Sequence, residues 1–187
     1  DENFGKYQTL RQEARSRVVG NFNRYLKGPM EREIWQGLTL ASITPKTIDY
    51  AMEIWPKYYN KSSFNGFGVT WENIFYKTIS DWANFNVAVW QSIDGEDYLQ
   101  GLAIGRPSKG RQQLKINFIE RSFAPNYFKG GVLVPILACA EEYAYLLDCK
   151  RVLITNPLDA SVYEPYGYTE ISDIPGANKY LAKEIEA

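Results

Sequence analysis

The chain has no histidine and only two cysteines among its 187 residues. The missing imidazole removes Ser-His-Asp and Cys-His hydrolases, histidine-ligated metals and a histidine general base together. Two cysteines alone also argue against a zinc site. No apolar run approaches the roughly 18 residues that span a bilayer, and the first residues show no signal-peptide pattern, so no membrane partner is expected. Surplus charge is lacking too. The 21 Lys and Arg balance 22 Asp and Glu, so no global field draws the chain onto nucleic acid. Acid-base chemistry must therefore use Glu, Asp, Tyr, Lys, Cys or water. Cys139 and Cys149 fall in one expected helix, about 15 Å apart along its axis. That is too far for a disulfide, and a reducing, cytoplasmic setting is the expectation.

What is present suits one soluble domain with a real core: 45% hydrophobic and 23% charged residues over this length. Residues 1–30 read as an arm. From Tyr7 to Leu26 sparse apolar residues recur at three- and four-residue spacing, as a one-faced helix requires. Lys6, Arg11, Arg15, Arg17, Arg24 and Lys27 face only Asp1, Glu2 and Glu13 there. This basic helix is open to docking on its own domain, on a second copy as a homodimer contact, or on a protein partner. Gly28-Pro29 marks the expected boundary, with the main domain at residues 31–187.

Alternation predicts a strand over 31–43. Thr44 as cap, Pro45 at the first position, and Ile43 with Ile48 as a hydrophobic staple then start a helix whose buried stripe is Ile48, Ala51, Met52 and Trp55. A loop over 60–68 follows. Thr70 caps a second helix with Ile74, Phe75, Thr78, Ile79 and Trp82 on its apolar face. Three strands are expected at 85–93, 98–105 and 113–121, the first two joined by Asp94-Gly95, a strong hairpin signal. In the third, Leu114, Ile116 and Phe118 alternate with Lys115, Asn117 and Ile119. A helix over 131–147 and a strand over 152–155 make a right-handed crossover with parallel strands.

The segment Arg151 to Ile171, RVLITNPLDASVYEPYGYTEI, gives that strand, then a short helix with Asn156 as N-cap and Pro157 at its first position. Pro165 cannot continue a helix, and Gly167 suits a left-handed end leading into a strand over 168–172. The tail, 178–185, is expected to pair with that strand.

Asn156 seven residues before Tyr163, then Tyr163-Glu164-x-x-Gly167-Tyr168, resembles the N-x-x-x-x-x-x-Y-E-x-x-G-F segment of the GCN5-related N-acetyltransferases (GNAT). The element order over 31–185 is similar to that family's as well. The resemblance implies an α/β (α+β) fold: a mixed central sheet, mostly antiparallel with a parallel pair at strands four and five, flanked by helices. It implies Tyr163 as the general acid that protonates the departing coenzyme A thiolate, and Asn156 as a cofactor contact. The family's pyrophosphate loop, Pro-x-Tyr-Arg-Gly-x-Gly-x-Gly/Ala, is matched in degenerate form by Pro125-Asn126-Tyr127-Phe128-Lys129-Gly130-Gly131-Val132-Leu133. Phe128 stands in place of arginine, Leu133 replaces the small residue, and Pro135 falls beyond the first turn of a helix begun at Gly131. Phe128, Lys129, Gly130, Gly131 and Val132 are thus the cofactor-loop candidates.

Glu120 is the one acid on the fourth strand and the candidate general base, provided burial raises its pKa. Pairing with Arg121 or another cation at a solvated strand end is the alternative. Tyr58, Tyr59, Phe64 and Phe67 are candidates for an apolar or stacking acceptor pocket. The resemblance implies an N-acyltransferase passing an acetyl or other acyl group from coenzyme A to a small-molecule or protein amine. A non-catalytic protein-interaction domain of the same fold is the alternative, and an acyltransferase with a different donor a third reading.

Overall fold

The computed structural model describes residues 2–21, 35–59, 67–124 and 131–186. A helix α1 (Glu2–Gly20) precedes a short strand β1 (Leu38–Ala41). Helices α2 (Pro45–Glu53) and α3 (Trp71–Thr78) follow, then β2 (Phe85–Ile93), β3 (Glu96–Pro107) and β4 (Gln113–Arg121). The chain closes with α4 (Leu133–Leu146), β5 (Arg151–Thr155), β6 (Thr169–Ile171) and β7 (Tyr180–Glu184). One seven-stranded sheet runs in the order β1-β2-β3-β4-β5-β7-β6. Every neighbouring pair is antiparallel except β4 and β5, which are parallel across the α4 crossover.

Local signals made several of these elements readable. Thr44 Oγ1 accepts from the Thr47 amide while Thr47 Oγ1 accepts from the Thr44 amide, a reciprocal cap that starts α2. Thr70 caps α3 by accepting from the Asn73 amide. Asp94 and Gly95 both take positive φ, 52° and 82°, in the two-residue loop between Ile93 and Glu96. That is the turn whose twist matches the strands it joins.

The sheet carries two main cores and a small third cluster of Leu153, Tyr180 and Ala182. On one face α1 and α4 cover Val87, Val89, Ala103, Leu114, Ile116 and Val152. On the other, α2, the 3-10 turn after it (Trp55–Tyr58) and α3 bring Ile48, Trp55, Trp71 and Phe75 onto Ala88, Leu102 and Ile104. Three positions read as buried are not. Met52, Ile79 and Trp82 are substantially exposed: Met52 lies on the solvent side of α2, and α3 ends at Thr78, before Ile79 and Trp82.

Of the docking modes open to the N-terminal arm, α1 takes the one on its own domain. Tyr7, Ala14 and Val18 are buried in the first core. Arg11 is only 7% exposed, and its Nη1 donates to the carbonyls of Trp82 and Asn84, each at 2.8 Å. Arg111 lies 5.0 Å from the Tyr7 ring centroid and donates to its hydroxyl. A buried guanidinium satisfied by main-chain acceptors lets a helix with few apolar residues still seat firmly. The Gly28-Pro29 boundary lies outside the described residues, as does the N-terminal part of the strand expected over 31–43.

The expected helix from Asn156 does not form, and Pro157 heads none. Asn156 instead takes a left-handed φ of 48°, and its amide donates to the Lys179 carbonyl. Its Oδ1 accepts from the Lys179 amide, and its Nδ2 donates to Asn178 Oδ1. Those partners, brought alongside by β7, hold the residue better than a first helical turn would. Two short 3-10 turns, Ala160–Val162 and Glu164–Tyr166, replace the helix. Asp159 caps the first, and Gly167 ends the second at φ 91°. Pro135 raises no conflict. Because α4 begins at Leu133, the proline falls in the first turn, where its missing N–H has no partner to lose.

Candidate functional site

Strands β4 and β5 stay together only from Gln113↔Arg151 to Ile116↔Ile154. Beyond that β5 stops at Thr155 and the chain turns away through Asn156, while β4 continues to Arg121 with β3 as its one strand partner among the described residues. The edge of β4 at Asn117–Ile119 therefore faces a gap.

A bulge shapes that gap. Phe118 pairs with Ile104 and Ile116 with Gly105, leaving Asn117 as the extra residue. A Cβ on Gly105 would stand 2.0 Å from the Lys115 carbonyl oxygen, so only glycine permits this approach. Gly105→Ala is expected to cost about 1–3 kcal/mol and to loosen the gap, read as a lower Tm and faster amide exchange along β4. An unchanged Tm would show the bulge indifferent to that residue.

The bulge also reverses the facing of the strand. Leu114 and Ile116 lie in the α1/α4 core, but Phe118 packs with the α2/α3 core. Glu120 follows Phe118 to that side. Uniform alternation over 113–121 holds only as far as Ile116, because one inserted residue exchanges the two faces.

A cleft of about 670 Å³ opens here. Its floor is Ile104–Arg106 of β3 and Ile116–Ile119 of β4. One wall is the end of α3, Lys77 and Thr78, with Phe67; the other is the segment after β5, including Asn156, Leu158, Val162 and Tyr163. The volume lies in the range of sites for extended small molecules.

Glu120 sits beside this cleft without lining it. It is 6% exposed; Oε1 accepts from Trp71 Nε1 at 2.7 Å and Oε2 from the Tyr59 hydroxyl at 2.5 Å. Among the described residues the pairing with Arg121 or another cation considered from sequence is not made: both partners are neutral donors. Burial raises the carboxyl pKa, and the two hydrogen bonds only partly oppose it. Burial and the neighbouring carboxylate likewise raise Tyr59. Phe67, which lines the cleft, meets Phe118 and Trp71 edge-on, with centroids 5.2 and 6.0 Å apart.

Tyr163 is half-buried at the junction of the two 3-10 turns. Its ring meets Tyr168 edge-on at 6.4 Å, and burial pushes its pKa up to about 12. Behind it the Tyr168 hydroxyl donates to Glu141, which also pairs with Lys183 Nζ at 2.6 Å.

No family model matches the chain, and no curated protein matches it. Solved structures do. The ribosomal-protein-S18-alanine N-acetyltransferase of Escherichia coli superposes with a TM-score of 0.56 at 15% identity, over 80% of this chain and 95% of its own. The spermidine N-acetyltransferase of Vibrio cholerae, solved with CoA and spermine, gives 0.54 at 18% identity, over 80% and 96%. The GNAT domain of S. lividans PAT gives 0.57 at 15%, over 78% and 89%. This chain has the GNAT fold.

In that fold, the candidates named from sequence are only partly gathered. Tyr163, Asn156 and Phe67 line the cleft. Tyr59 reaches Glu120, whereas Tyr58 is exposed and lies outside the cleft. Gly131 and Val132 stand at the head of α4, with the Val132 side chain buried in the first core. Phe128, Lys129, Gly130 and Phe64 lie outside the described residues. The cleft adds residues that the sequence did not single out: Asn117 at the bulge, Leu158 and Val162 on one wall, Lys77 and Arg106 on the other side. Only a bulge signal at Gly105, a glycine inside a strand, was available in advance for any of them. Among the described residues no helix is long and apolar enough to cross a membrane, and no group of three ligating side chains would hold a metal.

Proposed function

We propose that the chain is an acyl-CoA-dependent N-acyltransferase acting on an amine. One observation carries this reading: the freed β4 edge at Asn117–Ile119 opens into the cleft that Tyr163 walls. An exposed strand edge offers alternating N–H and C=O groups to a ligand that is itself a chain of amides. The pantetheine arm of coenzyme A fits that description. The amides heading α4, at Gly131 and Val132, with Phe128, Lys129 and Gly130 before them, would hold its pyrophosphate in the field of the helix N-terminus. Coenzyme A supplies the acyl group as a thioester.

The remaining steps belong to the protein. Glu120, through a water, takes the proton that the amine gives up as its C–N bond forms. Its raised pKa suits it to that task near neutrality. Tyr163 gives its phenolic proton to the sulfur as the C–S bond breaks, and burial keeps it in the protonated form that can donate. Asn156 holds the wall opposite α3 through its bonds to Asn178 and Lys179, Phe67 lines the acceptor side, and Tyr59 stands behind it on Glu120. The similar folds support the class of reaction: the neighbours named above include N-acetyltransferases of a protein and of a polyamine.

Calorimetric titration of acetyl-CoA into the protein tests the reading. Micromolar affinity is expected, followed by acyl-dependent thiol release in an amine screen. Absence of binding at millimolar acetyl-CoA would overturn it.

A further inference from the structure

The cleft is not electrically neutral. Its lining includes two cations, Lys77 at the end of α3 and Arg106 near the end of β3, both exposed. Neither forms an ion pair among the described residues. The acid that lines the cleft is Asp159, and its Oδ1 is occupied by the amide and hydroxyl of Ser161 at 3.0 and 2.6 Å. A site built for a polyamine or a lysine-rich segment would carry the opposite balance.

Position separates this pair of cations from the proposed pyrophosphate site. Arg106 pairs with Lys115 near the start of β4, and the chain reaches the head of α4 only after β4 has run on to Arg121. Six residues of strand are about 20 Å, and Val132 at the head of α4 stands against Gly101, the partner of Arg121, at the far end of β4. One cofactor phosphate group cannot serve both ends of β4 from the head of α4. The lining also supplies apolar side chains, Phe67, Ile104 and Phe118 on one side and Leu158 and Val162 on the other, beside the uncharged polar groups of Thr78, Asn117, Thr155, Asn156 and Asn178. Leu158, one of the lining residues, is 79% exposed, a leucine outside both cores.

Building on the acyl-transfer reading, we infer that the acceptor is an anionic amine. Its amino group lies toward Tyr163, a short apolar stretch crosses the cleft, and a carboxylate or phosphate at the far end meets Lys77 and Arg106. The two cations select the substrate; neither takes part in the chemistry.

Four probes of matched length test this: 6-aminohexanoate, 6-aminohexyl phosphate, hexylamine and 1,6-diaminohexane. Each is measured by thiol release with acetyl-CoA and by saturation-transfer NMR on the protein with and without CoA, so that a result is read even without turnover. The two anionic amines are expected to lead hexylamine by about tenfold, two partly exposed charge contacts together, and to lead the diamine by more. The lead should shrink with added salt. In Lys77→Gln/Arg106→Gln it should vanish while acetyl-CoA affinity stays that of the unaltered protein. A preference for the diamine, or a lead that survives the double substitution, would overturn the inference. Loss of acetyl-CoA affinity in the double variant would assign the cations to a cofactor phosphate and overturn it equally. Failure of acetyl-CoA to bind the unaltered protein, with anionic amines still preferred by NMR, would remove the acyl-transfer reading and leave the anion site standing.

Discussion

Tyr163→Phe is expected to lower kcat about a hundredfold, the lower end of what a positioned proton donor contributes, with the Kd for acetyl-CoA unchanged. The substitution is narrow. The ring is held by its edge-on contact with Tyr168 and by the two 3-10 turns that Asp159 and Gly167 delimit, and phenylalanine keeps all of that. Only the hydroxyl goes. Stability should therefore move by less than the roughly 1 kcal/mol of a typical hydrogen bond. With a pKa raised to about 12, Tyr163 does not titrate across the working range, so the variant's pH-rate profile should keep the shape of the original at a lower height. A variant that turns over at the original rate would make Tyr163 a packing residue, and a variant that loses acetyl-CoA affinity would place its hydroxyl on the cofactor instead.

How much of this was legible in the sequence follows from how local each cause is. The caps at Thr44 and Thr70, the Asp94-Gly95 turn and the strand limits at 85–93 and 113–121 depend on residues within four positions of one another, and they stand as read. The bulge at Asn117 depends on how close β3 comes to β4, which no window on β4 contains. Periodicity therefore placed Phe118 with Leu114 and Ile116, and gave no sign that Glu120 would meet Trp71, which lies 49 residues away in the chain. Asn156 illustrates the same limit. As a cap its requirements were met locally by Pro157, but residues 22 and 23 positions on supply better hydrogen bonds and turn it left-handed. Helix α1 was read as an arm because apolar residues are sparse; its seat depends on Arg11 finding the carbonyls of Trp82 and Asn84, over 70 positions away.

Glu120→Gln and Glu120→Leu separate the two things this carboxylate can do. As a clamp, Glu120 needs only acceptors: it ties β4 to α3 through Trp71 and to the loop after α2 through Tyr59. Glutamine supplies one acceptor to the Trp71 N–H, and its amide can donate to the Tyr59 oxygen, so the clamp survives. Leucine leaves the Trp71 N–H buried without a partner, at a cost of about 1–3 kcal/mol. As a base, Glu120 needs its negative charge, and both substitutions abolish it. The expected result is a glutamine variant that folds as well as the original and turns over about a hundredfold more slowly, within the range for loss of a general base. The pH dependence carries the sign. Activity of the unaltered protein should rise with pH through the raised pKa of Glu120 and then level off. Stability should move the other way. A carboxyl whose folded pKa lies above its unfolded value binds more protons when folded, so its contribution is complete below the unfolded pKa and is lost as pH rises through the folded one. The glutamine variant should lose both the rising limb of activity and this falling part of the stability curve. If it retains full activity, the carboxylate is a clamp alone, and the proton must leave the amine through water or another group lining the cleft.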